Sequence, residues 1–166
     1  MNFYVDFDDC LCETARAFTE LAADMFGSRV PYEETPGASA VLNEWMARGH
    51  RVSVITGRPF SAYEASRGWL DNHGLAKVPL YCFNKYGRDS FIRNSDFSLE
   101  PEDFYKMHFD FAVEDSPKAF KFFSHLPDLR VLVVDRPWNQ GCEFPDGHYT
   151  RCFNWEQIRN ITAENA

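Results

Sequence analysis

Asn2-Phe3-Tyr4-Val5-Asp6-Phe7-Asp8-Asp9-Cys10-Leu11 opens the chain with an apolar run that ends in carboxylates. A short run of apolar and aromatic residues reads as a buried strand, and Asp6 and Asp8 stand at i and i+2 where it would leave its sheet. Two later runs end the same way, in chemistry rather than in an ordinary turn. One is Val54-Ile55-Thr56-Gly57-Arg58-Pro59 and the other is Phe111-Ala112-Val113-Glu114-Asp115-Ser116-Pro117. In open α/β sheets the loops at strand C-termini border the ligand site, so these three strand ends converge if their strands are neighbours.

Working outward, five strands are expected, over 2–6, 51–56, 78–83, 109–113 and 130–134. The stretches between them have helical periodicity. Ala15, Phe18, Leu21, Ala22, Met25 and Phe26 share one face before Gly27, as do Val41, Leu42, Trp45 and Met46 before Gly49. Ala62, Ala65, Trp69 and Leu70 form a third such face, with Gly74 placed to end it. Pro101 and Pro117 are suited to first helical turns, and 155–161 reads as a last short helix. Residues 84–99 and 139–152, rich in Gly, Asn, Asp and Ser, are expected to be loops. This alternation predicts an α/β, Rossmann-like domain with a mainly parallel five-stranded sheet and helices on both faces.

A chain of 166 residues, 45% of them hydrophobic, has the size of one domain, taken here as 1–166. The net charge of −8 repels phosphate backbones and argues against a nucleic-acid partner. The five cysteines are an odd number without a C-x-x-C pair, which suits free thiols in a reducing cytoplasm. No basic-then-apolar leader and no run of eighteen apolar residues is visible, so neither export nor a membrane span is expected.

The strand ends suggest a reaction. A carboxylate can attack phosphorus to form an acyl-phosphate, and a second carboxyl can protonate the leaving oxygen and later activate water. Asp6 is the candidate nucleophile and Asp8 the candidate acid/base. Because an anionic nucleophile and an anionic phosphate repel, a hard cation held by oxygen is required, which implies Mg2+ with Asp6, Asp8 and Asp115 as its ligands. Glu114 either supports the ligands from behind or reaches the metal through water, and a charge favoured at a helix N-terminus is an equally good account of it. Thr56 and the Gly57 amide are placed to bind phosphate oxygens.

Three motifs in this order resemble the haloacid-dehalogenase-like (HAD) superfamily, whose first motif is D-x-D-x-[T/V], second a strand ending in Thr or Ser, and fourth a strand ending in G-D, D-D or E-D. The resemblance spans nearly the whole chain. It implies the same roles for Asp6, Asp8 and Asp115. Asp9 and Cys10 depart from the usual Gly and Thr or Val, and no second acid follows Asp115 within a few residues. The family's third motif is a lysine that neutralises phosphate and nucleophile. Lys85, directly after the third strand, is the first choice and Lys106 the alternative; Arg58 or Arg88 could also reach the phosphate.

Family members usually choose substrates with an inserted cap, for which the two helices and the 28–36 link between the first two strands leave little room. A capless or minimally capped enzyme is therefore expected, its open site suited to a bulky ester or closed by a neighbouring subunit in a homo-oligomer. Residues 35–38 (TPGA), 56–59 (TGRP), 69–74 (WLDNHG) and 135–139 (DRPWN) are similar to segments of the 5'(3')-deoxyribonucleotidase-like branch. That resemblance implies a nucleoside monophosphate as the small phosphorylated substrate, with Trp138 or Phe91 available to stack on a base.

Overall fold

The computed structural model describes residues 1–16, 33–85, 96–123, 125–144 and 147–164, without the side chain of Lys121. Seven strands form one sheet: β1 (Asn2–Val5), β2 (Arg51–Thr56), β3 (Leu80–Phe83), β4 (Ser98–Leu99), β5 (Phe111–Glu114), β6 (Arg130–Val134) and β7 (Tyr149–Cys152). Their order is β4-β3-β2-β1-β5-β6-β7, and all six pairings are parallel. The helices are α1 (Ala38–Ala47), α2 (Tyr63–Asn72), α3 (Pro101–Lys106), α4 (Phe120–Phe123) and α5 (Trp155–Ala163). From β1 the chain winds first towards β4 and then, through β5, the other way. The switch point lies at the C-terminal ends of β1 and β5, where such sheets open a crevice.

Side chains alternate across a strand, and that period sorts the core into two layers. Phe3, Val5, Val52, Val54, Phe111, Val113, Leu132 and Val134 pack beneath α1, α2 and α5 through Leu42, Trp45, Leu70, Trp155 and Ile158. Tyr4, Ile55, Phe83, Ala112, Val131 and Val133 point the other way, to Phe104 of α3 and Phe123 of α4. Aromatic stacking fills both layers. Phe3 lies 3.9 Å from Trp45 between ring centroids, and Phe83 lies 4.9 Å from Phe104.

The sheet has seven strands rather than the five expected from sequence. The additions are its two edges, both inside segments read as loops. β4 is two residues long, too short for any period to show, and β7 is a Tyr-Thr-Arg-Cys edge strand of which only Cys152 is fully buried. Short, partly polar edges are how sheets avoid pairing with other chains, and they leave little hydrophobic signal. α4 begins at Phe120, after a turn at 117–119, rather than at Pro117. The helix expected over 15–26 falls largely outside the described residues, and so do Phe91 and Arg88. The expected lack of a cap rests on those same segments.

Phe104 is 1% exposed and holds both Phe83 and the edge of Tyr4. Phe104→Ala should cost about 3–5 kcal/mol of stability, read as a lowered midpoint in urea with an unchanged slope.

Candidate active site

The alternation that builds the second core layer also builds the polar site above it. Two residues beyond Tyr4 is Asp6, two beyond Ala112 is Glu114, and two beyond Phe83 is Lys85. The pairing Val5↔Val113 continues with the Asp6 amide donating to the Val113 carbonyl at 2.9 Å, which places Asp6 beside Glu114. All three residues are at most 1% exposed. Lys85 Nζ lies 2.8 Å from Asp6 Oδ1 and 2.8 Å from Glu114 Oε2. Tyr4 donates its hydroxyl to the same Glu114 oxygen at 2.6 Å, and the Asp115 and Ser116 amides donate to Oε1.

Asp115 follows directly and is 5% exposed. Its Oδ2 accepts from Trp138 Nε1 at 2.7 Å and its Oδ1 from Cys10 Sγ at 3.7 Å. Asp6, Cys10 and Asp115 each offer one donor atom within 4.8 Å of the others. Among the described residues, Asp6 Oδ1 has no hydrogen-bond partner, and the Lys85 ammonium lies 2.8 Å from it. Three carboxylates thus face one ammonium, an excess of two negative charges when all are ionised. Burial, then the Glu114 charge, pushes Asp6 well above the usual carboxylate range, against the pull of Lys85. The same causes, in the same order, push Asp115 up to about 7. Burial also works against the charge on Glu114, but the Lys85 and Tyr4 contacts outweigh it and hold that group below its ordinary value. Oxygen-rich, and with one ammonium against three carboxylates among the described residues, the pocket fits a hard divalent cation held by Asp6 and Asp115.

Asp8 stands apart from this group. Arg58 grips its carboxylate from Nη2 at 2.6 Å and Nε at 2.9 Å; Thr14 donates to it at 2.7 Å and Thr56 at 3.4 Å. The Arg58 guanidinium also lies over the Phe7 ring, 4.5 Å from its centroid. The Asp8 side chain is therefore not one of the clustered donors, contrary to its expected place as a carboxylate ligand. Period two would keep Asp6 and Asp8 on one face, but β1 ends at Val5, the chain bends at Phe7, and Asp9 takes a left-handed φ of 54° where the resembled motif has Gly. Thr56 is fully buried and accepts the Arg58 amide, with Gly57 in the turn between them. Of the two lysines, Lys85 reaches Asp6, whereas Lys106 pairs with Asp103, its side chain 74% exposed. Lys106 lines a cavity with Asn2 and Arg51, the first residues of β1 and β2, at the opposite end of the sheet.

Several contributors escaped the sequence reading. Arg136 donates from Nε to the Asp9 carbonyl at 2.9 Å, and buried Asn139 donates to the Asp115 carbonyl at 2.8 Å, so the turn after β6 ties both loops together. Trp138, a candidate for base stacking, donates its N–H to Asp115, and the residue is 45% exposed. Tyr4 was discoverable, since period two puts its hydroxyl on the face of Asp6; Arg136 and Asn139 lie in the DRPWN segment at 135–139, but nothing local ties them to the loops after β1 and β5.

Two outcomes test these electrostatics. Lys85→Met leaves two buried carboxylates without their cation and should destabilise the protein by about 3–5 kcal/mol in chemical denaturation. Because Asp115 in the folded chain is raised above its unfolded value, its contribution to stability is fully present below about pH 4 and lost as pH rises through about 7. Metal-free protein should therefore melt lower at pH 8 than at pH 6. Magnesium at about 100 times its dissociation constant should restore about 2.7 kcal/mol at pH 8.

No family model and no curated protein matches the chain in sequence. Solved structures do match. A protein described as a β-phosphoglucomutase from Thermotoga maritima aligns with TM-score 0.65 at 14% identity, over 99% of each chain. D,D-heptose 1,7-bisphosphate phosphatase from B. bronchiseptica, complexed with magnesium and phosphate, aligns with TM-score 0.64 at 14% identity, also over 99% of each chain. A HAD-superfamily hydrolase from Ehrlichia chaffeensis aligns with TM-score 0.58 at 8% identity, over 98% of this chain and 96% of that one. With its parallel sheet, its strand order and the acidic ends of β1 and β5, the chain has the fold of the HAD superfamily.

Proposed function

We propose that the chain is a single-domain, Mg2+-dependent phosphomonoester hydrolase working through an aspartyl-phosphate on Asp6. The observation that carries this reading is the meeting of two desolvated carboxylates, Asp6 and Asp115, with buried Lys85 at the switch point of the sheet. A structural neighbour that is complexed with magnesium and phosphate supports the choice of cation and group.

Asp6 would attack the phosphorus atom while Lys85 offsets the charge gathering on nucleophile and phosphate. Asp6 and Asp115 would hold the magnesium, which when bound weakens the repulsion between carboxylate and phosphate oxygens. Asp8 would donate its proton to the leaving oxygen, leaving an acyl-phosphate on Asp6. As a carboxylate it would then take a proton from the water that attacks this phosphorus, releasing inorganic phosphate and restoring Asp6. In the present arrangement Arg58 occupies Asp8, and an arriving phosphate would compete for that guanidinium and free the acid. Thr56 and the Gly57 amide would bind the remaining phosphate oxygens. The proposed substrate is a nucleoside monophosphate or another small phosphate ester. The segments that resemble the deoxyribonucleotidase-like branch support the former, and the net charge of −8 disfavours nucleic acid.

Phosphate release from nucleoside 5'- and 3'-monophosphates, sugar phosphates and an aryl phosphate, with magnesium or with EDTA, tests the proposal. Release should require the metal and vanish in Asp6→Asn, and Asp8→Asn should lower kcat by about 100- to 10,000-fold. Folded, magnesium-binding protein that releases phosphate from no substrate in the panel would sink the hydrolase reading and favour a phosphate-binding role.

A further inference from the structure

We propose that Asp6, Cys10 and Asp115 form a mixed carboxylate and thiolate site that takes a thiophilic divalent cation, with zinc the probe, in competition with magnesium. The inference deepens the proposed active site and rests on that reading for its context.

The argument starts from the donor set. Cys10 is fully buried, and its Sγ lies with one oxygen of Asp6 and one of Asp115 inside a 4.8 Å span. The sulfur donates to Asp115 Oδ1, so it shares an oxygen that the cation would use. Among the described residues Asp6 Oδ1 has no hydrogen-bond partner and is met by the Lys85 ammonium at 2.8 Å, so a cation at this oxygen would share it with Lys85. Two oxygens and one sulfur do not make a site for magnesium alone. Hard Mg2+ uses the oxygens and ignores sulfur, whereas Zn2+ accepts both and gains most from the thiolate. At the corresponding place a Val or Thr would offer no soft donor. On binding, the sulfur–hydrogen bond gives way to a sulfur–metal bond and the proton leaves to solvent, so no oxidant or reductant is needed. A zinc ion held there would displace the magnesium that shares Asp6 and Asp115, and zinc would therefore oppose magnesium-dependent turnover.

Cobalt titration of the full chain under reducing conditions tests this, because a cobalt–thiolate bond absorbs in the near ultraviolet. The wild type should develop that band to saturation at one cobalt per chain, and zinc should bleach it. Cys10→Val, close in size, should lose the band and weaken zinc binding by more than about 100-fold, since loss of even an outer contact costs 10- to 100-fold. Magnesium binding should survive in that variant. No band in the wild type, or an equal band in Cys10→Val, would overturn the proposal. Should Cys10→Val fail to fold, X-ray absorption at the zinc edge of the wild type decides: one sulfur among oxygens supports the site, and oxygen and nitrogen alone refute it. The outcomes separate from those of the hydrolase assay. A cobalt–thiolate band without phosphate release would retain the metal site and reject the hydrolase, and release without the band would do the reverse.

Discussion

A single buried ammonium holds the centre of the molecule together. Lys85 stands between Asp6 and Glu114, and among the described residues it is the cation paired with both carboxylates. Isolated charges at this depth would cost several kcal/mol each, so the arrangement persists only because attraction and hydrogen bonds offset desolvation. Tyr4 and the amides after β5 complete the shell of Glu114, and that completeness lets Glu114 keep its charge. Asp6 and Asp115 lack an equivalent shell. Burial therefore raises them, and the described residues set one ammonium against the three carboxylates of the pocket.

The rest of the architecture serves to place these few groups. Parallel pairing brings β1, β3 and β5 to the same level, and the two-residue period turns Tyr4, Phe83 and Ala112 into a platform for Asp6, Lys85 and Glu114. Beneath that platform lies an aromatic layer in which Phe104 packs against both Tyr4 and Phe83. Above it, the turn after β6 fastens the β1 and β5 loops through Arg136, Trp138 and Asn139. Rigidity from below and fastening from above are what a preorganised charged site needs.

Asp6 and Asp8 are two residues apart yet live in different surroundings. One is dry and paired with a lysine; the other is partly exposed and clasped by arginine and threonines. Such a division suits two carboxyls with different tasks. The bend that creates it is the left-handed Asp9, whose amide donates to the Cys12 carbonyl and whose side chain accepts from the Ala15 amide.

Local order in the chain was enough to determine the α/β class, the central strands and the carboxylates at their ends. Buried parallel strands are continuous apolar runs, and the polar residue that ends each run has nowhere to stand but the mouth of the sheet. The position of Lys85 at that mouth was legible for the same reason, since it lies two residues beyond the end of β3. The edge strands β4 and β7 were not, because short half-polar edges carry no period. Nor were the partners that set each group's charge state: Arg58 on Asp8, Trp138 and Cys10 on Asp115, and Asn139 behind it. Those contacts join residues 23 to 105 positions apart, with Arg58 50 positions from Asp8, and only the packing of strands and loops decides them.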